Sequence, residues 1–240
     1  MSSARALAVI PARYGSSRFP GKPLAVINGV PMILRVMRRA GDVRGISEVI
    51  VATDDQRIKD VVEEDGGRAV MTSSSHPSGT SRVAEVASQL DHDIVLNIQG
   101  DEPLLPVTGV ERLIETMAQD SSILMGTLAS RSEDMAELGN PDAVKVVFDV
   151  NGDAIYFSRS PLRSGENSFY RHIGIYGFRK AFLLEFEKLP GGSLEKTECL
   201  EQLRALENGY RIRVVTCSAS VVGVDRPEDI KRVEKLIDSF

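Results

Sequence analysis

Three cationic side chains stand close together in a loop that follows the first apolar run of the chain. Arg13, Arg18 and Lys22 come after the run Ala6–Ile10, among glycine, serine and proline residues. A short apolar run of this kind predicts a buried strand that opens onto a polyanion-binding loop. Long cationic side chains can follow a phosphate group as it leaves, so the chemistry that this loop suggests is pyrophosphate release.

The loop differs from a P-loop in its spacing and in its backbone donors. The interval from Gly15 to Gly21 is one residue too long for G-x-x-x-x-G-K-[ST], and Pro23 stands where the magnesium-binding hydroxyl belongs. Pro20 and Pro23 also lack the backbone N–H groups with which a P-loop wraps phosphate. We therefore expect side chains to share in holding phosphate here, and a solvated basic loop is the alternative.

Asp101 is a candidate metal ligand because it comes at the end of the predicted strand Asp93–Gln99. A magnesium site commonly uses one or two carboxylates, and water and substrate phosphate complete its octahedron. A capped turn in Asp101-Glu102-Pro103 is the competing interpretation.

Composition and charge limit the class of protein. With 240 residues, 42% of them hydrophobic, the chain can bury one substantial core, and a single domain over 1–240 is expected. The net charge of -5 argues against nucleic acid or an anionic membrane as the partner. Without an apolar run of bilayer length, the protein is expected to be soluble and cytoplasmic. The two cysteines and three scattered histidines do not favour a disulfide, a redox pair or a zinc site.

The elements that must position these residues alternate between strand and helix in the first half of the chain. The alternation predicts an α/β fold with a mostly parallel sheet in three layers, and ligands bind at the carboxyl ends of such strands. The loops of Arg13, His76 and Asp101 should therefore converge. No G-x-G-x-x-G occurs, so a dinucleotide cofactor is not supported. Strands are predicted at Ala6–Ile10, Glu48–Thr53, Ala69–Met71, Asp93–Gln99 and Ile123–Ala129, helices at Pro31–Met37, Ile58–Val62, Arg82–Leu90 and Val110–Met117, and a functional loop at Thr72–Ser81.

The second half of the chain has a different pattern. Asn151-Gly152 separates two short apolar segments and predicts a β-hairpin, which Phe169–Phe178 extends into an antiparallel patch. A helix at Glu195–Asn208, capped by Gly209, a strand at Arg211–Thr216 and a last helix opened by Pro227 follow.

Several motifs together resemble those of one enzyme family. The segment Ile10–Leu24, which reads IPARYGSSRFPGKPL, resembles the signature of the 3-deoxy-manno-octulosonate cytidylyltransferases. Asn97–Pro103, His76–Arg82 and Gly223–Asp229 resemble other motifs of that family, as do Tyr156–Arg159, Arg171–Gly177 and Leu200–Arg204, in the family's order. The resemblance covers nearly the whole chain. It implies a Rossmann-like nucleotidyltransferase fold and a homodimer, with sugar-binding and dimerisation functions at about 144–190.

The resemblance also implies roles for individual residues. Asp101 and Asp225 would hold Mg2+, with a helix N-cap as the competing interpretation of Asp225. Arg13, Lys22 and Asp101 would be catalytic. The implied nucleotide-binding residues are Pro11, Ala12, Arg13, Ser16, Arg18, Lys22, Ser78, Gly79, Thr80, Arg82 and Gln99. The implied sugar-binding residues are Arg159, His172, Tyr176, Glu201 and Gln202, the last two on the polar side of the Glu195–Asn208 helix.

The activity that the resemblance implies is Mg2+-dependent transfer of CMP from CTP to the anomeric hydroxyl of 3-deoxy-D-manno-octulosonate (Kdo), with release of pyrophosphate, for lipopolysaccharide biosynthesis. The segment Ser160–Tyr170 is shorter than its counterpart in the family, which leaves the exact sugar acid open. A cytidylyltransferase for another 2-ulosonic acid such as 8-amino-Kdo is one alternative, and a non-catalytic nucleotide-binding protein is another.

Overall fold

A parallel sheet lies at the centre of the first of two units in the computed structural model, which describes residues 5–15, 19–163, 167–218 and 223–238. This unit comprises 1–107 and 221–240. Its sheet has the order β6-β1-β4-β5, and every neighbouring pair is parallel. Side chains of β1 from Ala6 to Ile10 are completely buried, as expected for a strand covered on both faces. The strands are β1 Ala6–Ala12, β2 Val26–Ile27, β3 Val30–Pro31, β4 Ile46–Thr53, β5 Arg68–Met71 and β6 Ile94–Asn97.

The helices of this unit follow its strands in the predicted order. They are α1 Met32–Gly41, α2 Gln56–Glu64 and α3 Gly79–Ser88, with a C-terminal helix at Asp229–Ile237. The prediction of a loop as far as Ser81 was wrong at its end, because Ser78 and Ser81 form a capping box. The Ser78 hydroxyl accepts from the Ser81 N–H at 3.2 Å, and the Ser81 hydroxyl accepts from the Ser78 N–H at 3.1 Å. The α3 helix therefore begins at Gly79.

The second unit, residues 108–220, contains a mixed sheet. β7 pairs in parallel with β11, and antiparallel pairs join β7 to β10, β10 to β8 and β8 to β9. Gly152 has φ of 82° in the turn between β8 and β9, which confirms the predicted hairpin. Its elements are α4 Val107–Gln119, β7 Met125–Ser132, α5 Met135–Gly139, β8 Lys145–Phe148, β9 Ala154–Ser158, β10 Phe169–Arg179, α6 Lys180–Phe186, α7 Ser193–Glu198, α8 Leu203–Glu207 and β11 Arg213–Thr216.

The prediction of one continuous helix at Glu195–Asn208 was wrong. Cys199 adopts a left-handed conformation, with φ of 52° and ψ of 47°, and this ends α7 before α8 begins. Cys199 is exposed, and the buried apolar side chains nearby are Leu200, Leu203 and Ala205. The turn between the helices displaces the residues after Cys199 from the face that a continuous helix would give them.

The final helix begins later than predicted, at Asp229 rather than Pro227. The Asp229 carboxylate accepts from the backbone N–H groups of Asp225 and Arg226 at 2.9 and 2.8 Å, so it stabilises a turn before the helix. The α/β class and the order of the elements were otherwise predicted correctly, and the single domain over 1–240 stays a prediction. Among the helices of the described ranges, none combines the length and the apolarity that crossing a bilayer requires.

Candidate active site

A pocket in the first unit collects most of the predicted nucleotide-binding residues. It lies where the chain leaves β1 and β6 and enters α3, so the expected convergence of the Arg13, His76 and Asp101 loops is confirmed. Its lining consists of Pro11, Ala12, Arg13, Lys22, Pro23, His76, Pro77, Ser78, Gly79, Arg82, Gln99, Gly100, Asp101 and Asp225. Ser16 and Arg18, which were also predicted to bind phosphate, lie outside the described residues.

One ammonium group contacts both candidate metal-binding carboxylates. The Lys22 Nζ atom donates to Asp101 Oδ2 at 2.5 Å and lies 3.7 Å from Asp225 Oδ1. It also donates to the Val224 carbonyl at 3.0 Å, while the Val224 N–H donates to the Asp101 carbonyl at 2.9 Å. The two aspartates are therefore within reach of a single cation. The N-cap interpretation of Asp225 is wrong, because the helix begins at Asp229 and the Asp229 carboxylate accepts from the Asp225 N–H.

This arrangement fits a hard divalent cation better than a transition metal. Two carboxylates and one backbone carbonyl surround the ammonium, and all of these are oxygen ligands of the kind that Mg2+ prefers. Within the described ranges, no group of three or more histidine, cysteine, aspartate or glutamate side chains could hold an ion. The remaining coordination positions of a cation bound here would belong to water and substrate phosphate.

Local packing sets the direction in which Lys22 leaves the backbone. Gly21 has φ of 73°, and its N–H donates to the Tyr14 carbonyl at 2.9 Å, which joins the two ends of the loop. A Cβ atom on Gly21 would lie 3.1 Å from the Tyr14 ring. The Arg57 guanidinium also lies over that ring, 3.4 Å from the centroid. Glycine at position 21 thus permits both the turn and the contact with tyrosine.

The predicted nucleotide-recognition residues belong to the first turns of α3. Arg82 is 4% exposed, and its guanidinium donates to Asp54 Oδ2 at 2.9 Å and to the Thr72 hydroxyl. Thr80 is also buried, and its hydroxyl accepts from the Asn97 amide at 3.2 Å. These contacts hold the helix N-terminus at the pocket, where Ser78 and Gly79 line the wall.

Two acidic residues near the pocket were not predicted. Asp54 pairs with Arg82, and Glu85 accepts from the Ser73 N–H at 3.1 Å and contacts His76 Nε2. The contact with His76 is the main cause that holds the pKa of Glu85 below its ordinary value. The position of Asp54 directly after a predicted strand could have identified it, whereas nothing local distinguishes Glu85 from other helix-surface acids.

The predicted sugar-binding residues lie in the second unit, and two of them are buried deeply. His172 is 8% exposed, and burial lowers its pKa to about 3. The Thr127 hydroxyl lies 2.9 Å from His172 Nε2, and it also lies 2.8 and 3.2 Å from the Ile175 and Ile173 carbonyls. His172 is therefore a neutral imidazole near pH 7, and its ring packs against Tyr176 at a centroid distance of 5.5 Å.

Gln202 lies in the turn between α7 and α8, not on the polar side of one helix as predicted. It is 3% exposed, and its Nε2 has no hydrogen-bond partner among the residues that the structure describes. A buried amide without a partner costs about 1–3 kcal/mol, so an acceptor is expected beside it. Glu201 precedes it in the same turn and is partly exposed.

A match to a known protein family is consistent with the chemistry of this pocket. A profile of the family described as Cytidylyltransferase matches residues 7–212, which is most of the chain. All residues that line the pocket fall within this range except Asp225. A match of this length places the chain in the cytidylyltransferase class.

Similar proteins give a narrower family. A 3-deoxy-manno-octulosonate cytidylyltransferase from Geobacter metallireducens is 46% identical over 248 residues, covering 97% of this chain and 98% of that protein. One of the same name from Solibacter usitatus is 48% identical over 235 residues, covering 96% and 93%. A solved structure of CMP:2-keto-3-deoxy-manno-octonic acid synthetase complexed with CTP has a TM-score of 0.92 and 43% identity, covering 98% of this chain and 99% of that one. The chain belongs to the 3-deoxy-manno-octulosonate cytidylyltransferase family.

Proposed function

We propose that this protein transfers CMP from CTP to the anomeric hydroxyl of Kdo and releases pyrophosphate. Relatives of that name match over nearly the whole chain, and a solved relative is complexed with CTP. The observation that carries the proposal is the contact of the Lys22 ammonium with both Asp101 and Asp225 in one pocket. The product, CMP-Kdo, would supply lipopolysaccharide biosynthesis in the cytoplasm.

The cationic residues of the pocket would act on the leaving group. In the proposed reaction the anomeric oxygen attacks the α-phosphorus in line, the bond to the bridging oxygen breaks, and the hydroxyl proton passes to solvent. Arg13 and Lys22, together with Arg18 as the resemblance implies, would stabilise the negative charge that develops on pyrophosphate. No covalent enzyme intermediate is needed.

Asp101 and Asp225 would hold Mg2+, which the oxygen-only environment of the Lys22 ammonium supports. Bound there, the ion would neutralise triphosphate charge and favour the alkoxide form of the sugar hydroxyl. The chain itself contributes the spacing of the two carboxylates, which the backbone hydrogen bond from Val224 to Asp101 maintains.

The nucleotide would be held by short side chains and backbone groups. Pro11, Ala12, Ser78 and Gly79 leave room for a base and ribose to approach the backbone closely. Gln99 also lines the pocket, and its amide donates to Asn97 Oδ1 at 3.3 Å, which leaves its own carbonyl oxygen available as an acceptor. Thr80 and Arg82 would contribute by holding α3 in place, through their contacts with Asn97 and Asp54.

The sugar acid would use polar groups of the second unit. We assign it Arg159, His172, Tyr176, Glu201 and Gln202, as the resemblance implies. No described residue accepts from the buried Gln202 Nε2, which supports this assignment, because a sugar hydroxyl or carboxylate would supply an acceptor there. The neutral His172 ring would position Tyr176 through their contact.

A homodimer formed through the antiparallel patch is also proposed. Ile155 on β9 and Val150 in the hairpin turn are large apolar side chains, 62% and 102% exposed. Apolar groups exposed on or beside an edge strand are typical of protein interfaces. A second copy of the chain would cover them.

Pyrophosphate release tests the proposal directly. The protein is incubated with CTP and Mg2+ together with Kdo or 8-amino-Kdo, and turnover of Kdo is expected to exceed turnover of the amino sugar. Asp101→Asn and Asp225→Asn should each lower kcat by about 100-fold or more, because each removes a charged oxygen ligand. Circular dichroism and thermal melting serve as controls for an intact fold.

Two outcomes would contradict the proposal in different ways. Turnover of 8-amino-Kdo without turnover of Kdo would assign the enzyme to another 2-ulosonic acid, an alternative that the short segment Ser160–Tyr170 leaves open. CTP binding without turnover of either sugar acid would indicate a non-catalytic nucleotide-binding protein.

A further inference from the structure

A single carboxylate in the second unit joins the end of β9 to the end of α7. Glu198 Oε1 accepts from the Ser158 hydroxyl at 2.8 Å and from the Tyr156 hydroxyl at 3.2 Å. Its Oε2 accepts from the Arg159 N–H at 2.8 Å, and its backbone carbonyl accepts from Arg159 Nε at 2.9 Å. Glu198 therefore accepts from three polar residues at and just after the end of β9, and it binds Arg159 through both its backbone and its side chain.

Arg159 also has contacts with Lys145 and Pro141. Lys145 is completely buried, and its ammonium donates to the Arg159 carbonyl at 2.8 Å and to the Asn140 carbonyl at 2.7 Å. Arg159 Nη1 donates to the Pro141 carbonyl at 3.0 Å. Arg159 Nη2 also donates to the Cys199 carbonyl at 3.5 Å. Backbone and guanidinium are thus both fixed, and the guanidinium still keeps N–H groups that these contacts do not use.

Glu198 is also the residue after which the next turn begins. Glu198 is the last residue of α7, and the left-handed Cys199 directs the chain into the turn that contains Glu201 and Gln202. Glu198 therefore binds Arg159 directly and immediately precedes the turn that carries Gln202, whose buried Nε2 has no hydrogen-bond partner among the described residues.

We infer that Glu198 is a positioning residue for the sugar acid, because it sets the placement of the Arg159 guanidinium relative to the turn that carries Gln202. The inference rests on the proposed function. An ionised carboxylate accepts hydrogen bonds only, so it can serve three donors at once. A glutamine of the same shape would turn an amide donor toward one of them, and the arrangement would loosen without a loss of volume.

The first experiment compares Glu198→Gln and Glu198→Ala with a matched control, Glu207→Gln. Glu207 also serves three donors of α7, namely Ser193, Leu194 and Glu195, but at the opposite end of that helix. Both Glu198 variants are expected to raise KM for Kdo by about tenfold to 100-fold, the effect of losing a hydrogen bond to a charged group. KM for CTP should stay within about twofold of wild type, and Glu207→Gln should leave both KM values within that limit.

A double-mutant cycle with Arg159→Ala separates positioning from a general loss of structure. If Glu198 acts through Arg159, Glu198→Gln should change KM for Kdo by less than about twofold when Arg159 is already absent. The inference is overturned if the increases in KM for Kdo caused by Glu198→Gln and by Arg159→Ala multiply in full in the double variant. It is also overturned if the Glu198 variants raise KM for CTP as much as KM for Kdo, or if Glu207→Gln raises KM for Kdo as much as Glu198→Gln does. A wild-type protein without any turnover would overturn the proposed function and this inference together, whereas unchanged Kdo kinetics in active Glu198 variants would overturn the inference alone.

Discussion

At the scale of single residues, Lys22 is the side chain whose charge is in closest contact with the candidate metal ligands. Its side chain is 15% exposed, and its ammonium lies against Asp101, Asp225 and the Val224 carbonyl. A divalent cation bound by the same two carboxylates would occupy the space of this ammonium and would replace its positive charge. Lys22 and the cation should therefore compete, and cation binding should direct Lys22 toward substrate phosphate.

Replacing Lys22 by methionine tests this competition. The change keeps most of the side-chain volume and removes the charge. Mn2+ takes oxygen ligands similar to those of Mg2+ and serves as the probe ion. It should bind the variant about tenfold more tightly than wild type in the absence of nucleotide. Free Mn2+ measured by electron paramagnetic resonance gives the affinity. Arg13→Met is the matched control because Arg13 lines the same pocket, and it should change the affinity much less. Equal effects of the two substitutions, or none, would argue against competition at the carboxylates.

At the scale of elements, the turn that precedes Lys22 depends on one glycine. Gly21→Ala should lower the free energy of unfolding by about 1–2 kcal/mol, because a residue with a Cβ atom is strained at φ of 73°. The new methyl group would also press on the Tyr14 ring and shift the Lys22 turn, so KM for CTP should rise by about tenfold.

Gly66→Ala provides the comparison for that prediction. Gly66 has φ of 79°, and a Cβ atom there would meet nothing within 4 Å. Urea unfolding should show a similar loss of stability in both variants, and steady-state kinetics should show the increase in KM for CTP in Gly21→Ala alone. A rise in both variants would mean that strain, not the position of Lys22, affects binding.

The elements also show where local patterns were sufficient. Continuous apolar runs predicted the longer strands of the first unit, which are covered by the protein, and the helical repeat of one buried face predicted its helices. The two-residue strands β2 and β3 give no such pattern and were not predicted. Apolar periodicity failed at Glu195–Asn208, where Cys199 and the buried Gln202 interrupt a pattern that reads as one helix. The contacts that favour this break, from Glu198 to Arg159 and from Glu207 to Leu194, join residues distant in sequence.

At the scale of the whole molecule, the buried His172 should make stability depend on pH. Burial lowers its pKa to about 3 in the folded protein, so the unfolded chain, with a value near 6.5, takes up the proton first. The stability that a neutral His172 contributes is therefore complete above pH 6.5 and is lost as the pH falls toward 3. Between pH 7 and 5, wild type should lose about 2 kcal/mol more than His172→Gln.

Urea unfolding at a series of pH values measures this difference. Between pH 7 and 8 the difference between the free energies of unfolding of the two proteins should stay nearly constant. Below pH 6.5 that difference should change steadily. Parallel curves down to pH 4 would show that His172 is not held neutral by burial.

Composition and local pattern by themselves determined the α/β class, the sequence of most elements, the antiparallel hairpin and the cationic loop after the first strand, because these follow from neighbouring residues. Resemblance to a family supplied the residue roles that spacing could not. Only the tertiary structure decided that Lys22 meets Asp101, 79 positions away, and the Val224 carbonyl, 202 positions away. Contacts of this kind depend on how buried elements pack in space, and no local pattern of residues encodes that packing.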